Sequence, residues 1–108
     1  MTGFEDREKG FEAKFYLDQE AQFKVKVRRD KLFGLWIAAK LGLAADATEN
    51  YATGLVITDV EKHSDKLLLE KVGKDLAAKG IVATDAELVK ELDKCAATAR
   101  EQVLTQGR

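Results

Sequence analysis

Residues 84–103 read TDAELVKELDKCAATAREQV, and their spacing decides the fold class. Thr84 and Glu87 stand at the separation of a capping box, in which a hydroxyl and a carboxylate each accept from an orphan backbone N–H. Asp85 and Glu87 also place negative charge where a helix dipole favours it. From there Leu88, Leu92, Cys95, Ala96, Ala99 and Val103 recur every three or four residues, one apolar stripe along a helix. The stretch predicts a helix over 85–105, fraying toward Gln106, Gly107 and Arg108.

Upstream, the same signals repeat. Ser64 and Asp65 read as an N-cap and first turn, Leu68, Val72 and Leu76 recur at four-residue spacing, and Gly80 sits where a left-handed stop belongs. Ile81 and Val82 are expected to pack across the connection that follows. Another helix is expected to start near Asp46 or Thr48, with Asp46 and Glu49 as a capping pair, and to carry Tyr51, Ala52, Leu55, Val56 and Val60. Residues 55–58 (LVIT) are β-branched enough for a strand, but a lone strand would lack partners, so the segment reads as helix. The first periodic segment carries Ala21, Val25, Arg28, Leu32, Leu35, Trp36 and Ala39 and ends at Gly42, with Phe11 and Phe15 extending its pattern backwards. The predicted helices lie near 20–41, 47–62, 65–79 and 85–105. Short connections favour neighbours packed side by side, and the absence of proline suits long helices. The expected architecture is all-α: a small four-helix bundle over 20–108, preceded by a mobile, helix-prone segment over 1–19.

Composition narrows the function. At 108 residues the chain fits one domain, which buries roughly two-thirds of its unfolded surface. Its 18 basic and 19 acidic residues nearly cancel, whereas a nucleic-acid binder carries a clear basic excess, so no nucleic-acid partner is expected. No apolar run approaches the ~20 residues that span a bilayer, and the start MTGFED is no signal peptide. The single Cys95 forms no internal disulfide. These features point to the cytoplasm and to no membrane insertion.

Catalysis needs a nucleophile with its base, a carboxylate pair in a pocket, or a metal or cofactor site. His63, the only histidine, falls at the predicted end of the second helix, where a donor or cation usually just meets the helix dipole. Cys95 lies on an apolar stripe and reads as a buried structural thiol. One histidine and one cysteine at unrelated positions assemble no metal set, and the scattered glycines form no phosphate-cradling loop. The chain reads as a non-enzyme without cofactor or metal. Lys24, Lys26, Arg28, Arg29 and Lys31 could form a patch for phosphate or nucleotide. They could equally form a solvated helix face, because the spacing wraps them around the helix and Glu20 and Asp30 dilute them.

Residues 1–18, MTGFEDREKGFEAKFYLD, hold the most information about function. Thr2 and Glu5 have capping-box spacing, and Phe4, Phe11 and Phe15 share one helical face, with Glu8 in the gap. Glu5 and Lys9 form a favourable pair worth a few tenths of a kcal/mol, while Gly10 costs about 1 kcal/mol relative to alanine. Isolated helices this short are marginal in water. The aromatic face therefore needs a groove, either in the protein's own bundle or in a partner.

The two stretches FEDREKGFEAKF (residues 4–15) and RRDKLFGLWIAAKLG (residues 28–42) resemble the N-terminal half of the zeta subunit of alphaproteobacterial ATP synthases. The resemblance implies a small four-helix bundle that inhibits the F-type ATP synthase at its catalytic head, with the alpha, beta and gamma subunits as partners. In that family the N-terminal segment is mobile when free and forms a helix on inserting at a catalytic α/β interface near the rotor, opposing rotation in the hydrolytic direction. Carried over, the inhibitory element is Phe4, Glu5, Asp6, Arg7, Glu8, Lys9, Phe11, Glu12, Lys14 and Phe15. Phe4, Phe11 and Phe15 would anchor in the partner's groove, while Arg7, Glu8 and Glu12 would set orientation. Trp36 is expected in the core. The chain is expected to be monomeric when free, and the resemblance implies that it is peripheral to the inner membrane through the synthase. The alternative reading is an adenine-nucleotide-binding regulator, holding ATP or ADP weakly through Lys24, Lys26, Arg28 and Arg29.

Overall fold

In the computed structural model residues 19–106 are described, and they form four helices with no strand among them. α1 spans Gln19–Leu41, α2 Ala45–Lys62, α3 Asp65–Ala78 and α4 Asp85–Gln106. All four predicted helices are present, with ends shifted by no more than two residues. Residues 55–58 are helical, because the side chain of Leu55 is fully buried between its neighbours and tertiary packing overrides β-propensity.

The helix ends follow the local chemistry. The Glu87 N–H donates to Thr84 Oγ1 at 3.1 Å while the Thr84 N–H donates to Glu87 Oε1 at 2.9 Å, completing the capping box of α4. The Leu67 N–H donates to Ser64 Oγ at 3.2 Å and caps α3. Gly80 adopts φ 73°, which lets the Ile81 N–H reach back to the Leu76 carbonyl at 2.9 Å, and the same geometry closes α1 at Gly42. Two connection details differ from expectation. Ile81 packs on the core, but Val82 is 91% exposed, since the turn at Gly80 aims only the first of the two inward. The α2 start needs no capping pair: it begins at Ala45, Ala44 occupies the cap position without a side-chain bond, and Asp46 falls inside the first turn.

α1 and α3 each pack on every other helix, whereas α2 and α4 lie apart, with α1 filling the space between them. The core joins Phe33 and Ile37 of α1, Leu55 of α2, Leu68, Val72 and Leu76 of α3, and Leu88, Leu92 and Cys95 of α4. Burial of such side chains, at roughly 25 cal/mol per Å² of apolar surface, is the main stabilising term. The stripes read for α3 and α4 are the buried ones, except that Ala96 is only partly covered.

The stripe read for α1 is not. Asp30, Phe33, Gly34, Ile37 and Ala38 form its buried face, while Ala21, Val25, Arg28, Leu32, Leu35 and Trp36 are only partly covered and Ala39 is exposed. Apolar residues surround much of this helix, so periodicity alone could not choose the side that meets α2. In α2 the same substitution occurs at one position: Asp59 is fully buried and Val60 is 37% exposed.

Candidate functional site

The proposed inhibitory element, Phe4, Glu5, Asp6, Arg7, Glu8, Lys9, Phe11, Glu12, Lys14 and Phe15, lies outside the described residues. The basic run lies within them and is divided by the turn of α1. Lys24 pairs with Glu20 at 3.4 Å, Lys31 pairs with Glu49 at 3.0 Å, and Arg28 Nη1 donates to Gln102 Oε1 at 3.2 Å. Lys26 and Arg29 turn the other way. Lys26 Nζ approaches Asp59 Oδ2 at 3.6 Å, and Arg29 reaches three carboxylates: Asp30 at 2.9 Å, Asp59 at 3.2 Å and Asp65 at 2.9 Å. Spacing thus wraps the charges around the helix, and one helix carries two basic surfaces with different neighbours.

The inward surface holds the feature that sequence reasoning missed. Asp30 and Asp59 are 1% and 0% exposed, and Arg29 sits over them with a side chain only 13% exposed. Isolated buried carboxylates are prohibitively costly, so they must be paired, hydrogen-bonded or protonated. Asp30 Oδ1 accepts from Arg29 Nε at 2.9 Å and Asp59 Oδ2 accepts from Arg29 Nη2 at 3.2 Å. The remaining oxygens, Asp30 Oδ2 and Asp59 Oδ1, are buried with no donor from another residue. A proton kept by Asp30 would remove one of the two negative charges buried here. Burial, followed by the hydrogen bond to Asp59, pushes the Asp30 carboxyl up to about 8, against the opposing pull of the Arg29 charge. The hydrogen bond from Arg29 holds Asp65 below the usual carboxylate range. Burial lowers the Arg29 guanidinium, but the bond to Asp65 and the charge of Asp30 outweigh it and leave it above its ordinary value. A signal was present in the sequence: Asp30 precedes Phe33 by three positions and Asp59 follows Leu55 by four, so both occupy core positions.

The outward surface lines a groove of about 720 Å³ between α1, the first turns of α2 and the end of α4. Lys24, Arg28 and Lys31 lie along it with Phe23, Val27 and Leu35, facing Gln102 and Val103. Of the nucleotide-contact candidates, Lys24 and Arg28 reach this groove and Lys26 and Arg29 are held at the acid cluster. Phe23 is 54% exposed, an aromatic ring on a face that no described helix covers.

The remaining sequence candidates are structural. Trp36 stacks beside Phe33 with ring centroids 6.1 Å apart and carries Lys40 Nζ 4.5 Å from its centroid, packed against the core rather than inside it. Cys95 is 6% exposed, and burial, with Glu91 adding to it, pushes its thiol up to about 11. His63 ends α2 in a left-handed conformation, φ 52°, and its backbone N–H donates to the Asp59 carbonyl at 2.7 Å. Among the described residues no group of three His, Cys, Asp or Glu could hold a metal ion, and no helix is long and apolar enough to cross a membrane.

Compared with known proteins, residues 1–102 match the family described as ATPase inhibitor subunit zeta. No curated protein matches the chain.

Proposed function

The chain belongs to the ATPase inhibitor subunit zeta family, and from that premise we propose that it restrains ATP hydrolysis by an F-type ATP synthase through residues 1–19. The observation that carries this reading is the extent of the family match: it runs from residue 1 through the bundle to residue 102 and so takes in the whole aromatic segment. Phe4, Phe11 and Phe15 share one helical face, the arrangement of a helix that binds in a groove. On this reading the segment inserts as a helix at a catalytic α/β interface near the rotor, with the three rings as anchors and Arg7, Glu8 and Glu12 setting its orientation. The bundle delivers it. Ordering such a segment on binding costs roughly 2–5 kcal/mol of the gross interaction, and Gly10 adds to that.

The test is ATP hydrolysis by the cognate synthase in the presence of the full chain, and of a version starting at residue 20 whose helicity matches that of α1 to α4. Inhibition by the full chain alone is the expected result. No inhibition by either, with both folded, would remove the reading and move adenine-nucleotide binding at Lys24, Lys26, Arg28 and Arg29 to the front. Titration with ATP under Trp36 fluorescence then tests that second reading.

A further inference from the structure

The charges of the outward groove are laid out in a line. Lys24, Arg28 and Lys31 line it at intervals of four and three residues, so one cation recurs per helical turn over about 10 Å of α1, at a rise of roughly 1.5 Å per residue. Each is engaged by a different partner, Glu20, Gln102 and Glu49 in turn, so they do not converge on one point as donors around a phosphate do. Beside them the floor is apolar, formed by Phe23, Val27 and Leu35 of α1 and Val103 of α4. Such a channel is the complement of an amphipathic helix whose apolar stripe is flanked by carboxylates three and four residues apart. From Phe23 to Leu35 the groove follows about 18 Å of α1, room for a little over three turns of a partner helix.

The rim can exchange its partners. Among the described residues three cations face one lining carboxylate, that of Glu49. The pairs of Lys24 with Glu20 and of Lys31 with Glu49 are exposed on both sides, and exposed pairs contribute little to stability, so carboxylates from another protein replace them at small cost. A second copy of the chain does not suit the groove in a symmetric contact, since a two-fold axis would set the three cations of one chain against the three of the other. A flat bilayer does not suit it either, because the apolar floor lies between α1 and α4. The place of the groove indicates the partner. Phe23, where the groove begins, stands one turn of α1 beyond Gln19, and residues 1–19 are the segment assigned above to the synthase. Engaging that segment brings this end of the bundle against the same target.

We propose that the groove between α1 and α4 is a second docking surface for the catalytic head of the synthase, and that its occupant is an acidic amphipathic helix of a head subunit. The proposal rests on the inhibitory reading for the identity of the partner. Phe23, Val27 and Leu35 receive the apolar stripe of that helix, while Lys24, Arg28 and Lys31 pair with its carboxylates. Two contacts joined in one chain raise the effective concentration of each at the other, so the bundle holds the inhibitory segment in place as well as carrying it.

The test uses the full chain and the purified catalytic head of the cognate synthase. A zero-length carbodiimide reagent joins a lysine amine to a carboxylate in contact with it. It is expected to link Lys24 and Lys31 to acids of one head subunit that lie three, four or seven residues apart in a helix. The variant Lys24→Glu with Lys31→Glu, both at exposed rim positions and checked for parental helicity, is expected to bind the head about tenfold more weakly at low ionic strength, with a smaller dependence on salt. Binding unaltered by the charge reversal, or links from these lysines only to a second copy of the chain, would overturn the proposal. So would micromolar ATP shifting the resonances of Phe23 and Val27 in the free chain, which would give the groove to a nucleotide. Inhibition with neither links nor charge-sensitive binding would remove the docking surface and leave the inhibitory reading standing. Links and charge-sensitive binding without inhibition would keep the docking surface while removing the inhibitory reading.

Discussion

A Cβ placed on Gly34 would stand 2.6 Å from the Cα of Ala52, because α1 and α2 cross backbone against backbone at this pair. No flexible side chain is available to yield there. Gly34→Ala is therefore expected to force the two helices apart and to destabilise the bundle by about 1–3 kcal/mol. Gly73, inside α3 and with open space around its Cα, is the matched control: Gly73→Ala is expected to stabilise by about 0.5–1 kcal/mol. Urea unfolding of the two variants beside the parent chain checks both signs.

The buried acid pair gives stability a pH dependence of defined sign. Asp30 titrates near 8 in the folded chain and near 3.8 when unfolded, so between these values the folded state holds the additional proton. Stability from this group is fully present below pH ~4 and is lost as pH rises toward ~8, at up to about 1.4 kcal/mol per pH unit. The charges facing Asp30 are Arg29 beside it, Lys26 one turn away, Asp59 from α2 and Asp65 from α3. Asp30→Asn keeps an acceptor for Arg29 and removes the ionisable group beside Asp59. Its stability at pH 8 should exceed that of the parent, and its profile between pH 5 and 8 should be flatter; a parent profile already flat would refute the raised Asp30 carboxyl.

Arg29 compensates two carboxylates that water does not reach. Arg29→Met takes the guanidinium from both buried acids and leaves Asp59 only the longer contact with Lys26 at 3.6 Å, and the expected loss is about 3–5 kcal/mol. Arg29→Lys keeps the charge but cannot reach three carboxylates from one planar group, so it should fall between the two. Denaturant midpoints at pH 7 rank the three proteins.

Cys95 is expected to be inert. Its thiol is buried and titrates near 11, so at pH 7.5 a disulfide reagent such as DTNB should react only after denaturant is added, and then with one thiol per chain. Rapid stoichiometric reaction of the folded protein would mean that α4 opens locally far more often than its packing allows.

The sequence was legible where polar and apolar positions alternate cleanly around a helix. In α3 and α4, Leu68, Val72, Leu76, Leu88, Leu92 and Cys95 were read as core and are core, and the bonds at Ser64 and Thr84 mark where those helices begin. α1 was read on the wrong face, because Leu32, Leu35 and Trp36 are as apolar as Phe33 and Ile37 and only the positions of α2 and α4 separate them. Asp30 reads as diluting a basic run, and its three-residue spacing from Phe33 marks a core position only once α2 is known to cross that face of α1. The segment proposed to inhibit is legible only in part, since its aromatic spacing is local but a partner's groove is not.

The cluster of Arg29, Asp30 and Asp59 has a consequence for register. An apolar surface that nearly encircles α1 would let the helix slide or rotate against α2 by a turn with little change in buried area. A slide of one turn, about 5.4 Å, would carry Asp30 away from Asp59 and leave unpaired carboxylates in the core. Replacing all three together (Arg29→Met, Asp30→Leu, Asp59→Leu) should give a bundle at least as stable as the parent, yet one whose α1 resonances are broadened or doubled; a single sharp set would refute the point. The two acids thus act as an index mark: hydrophobic burial holds the helices together, and the one guanidinium that both acids share tells them where to stop.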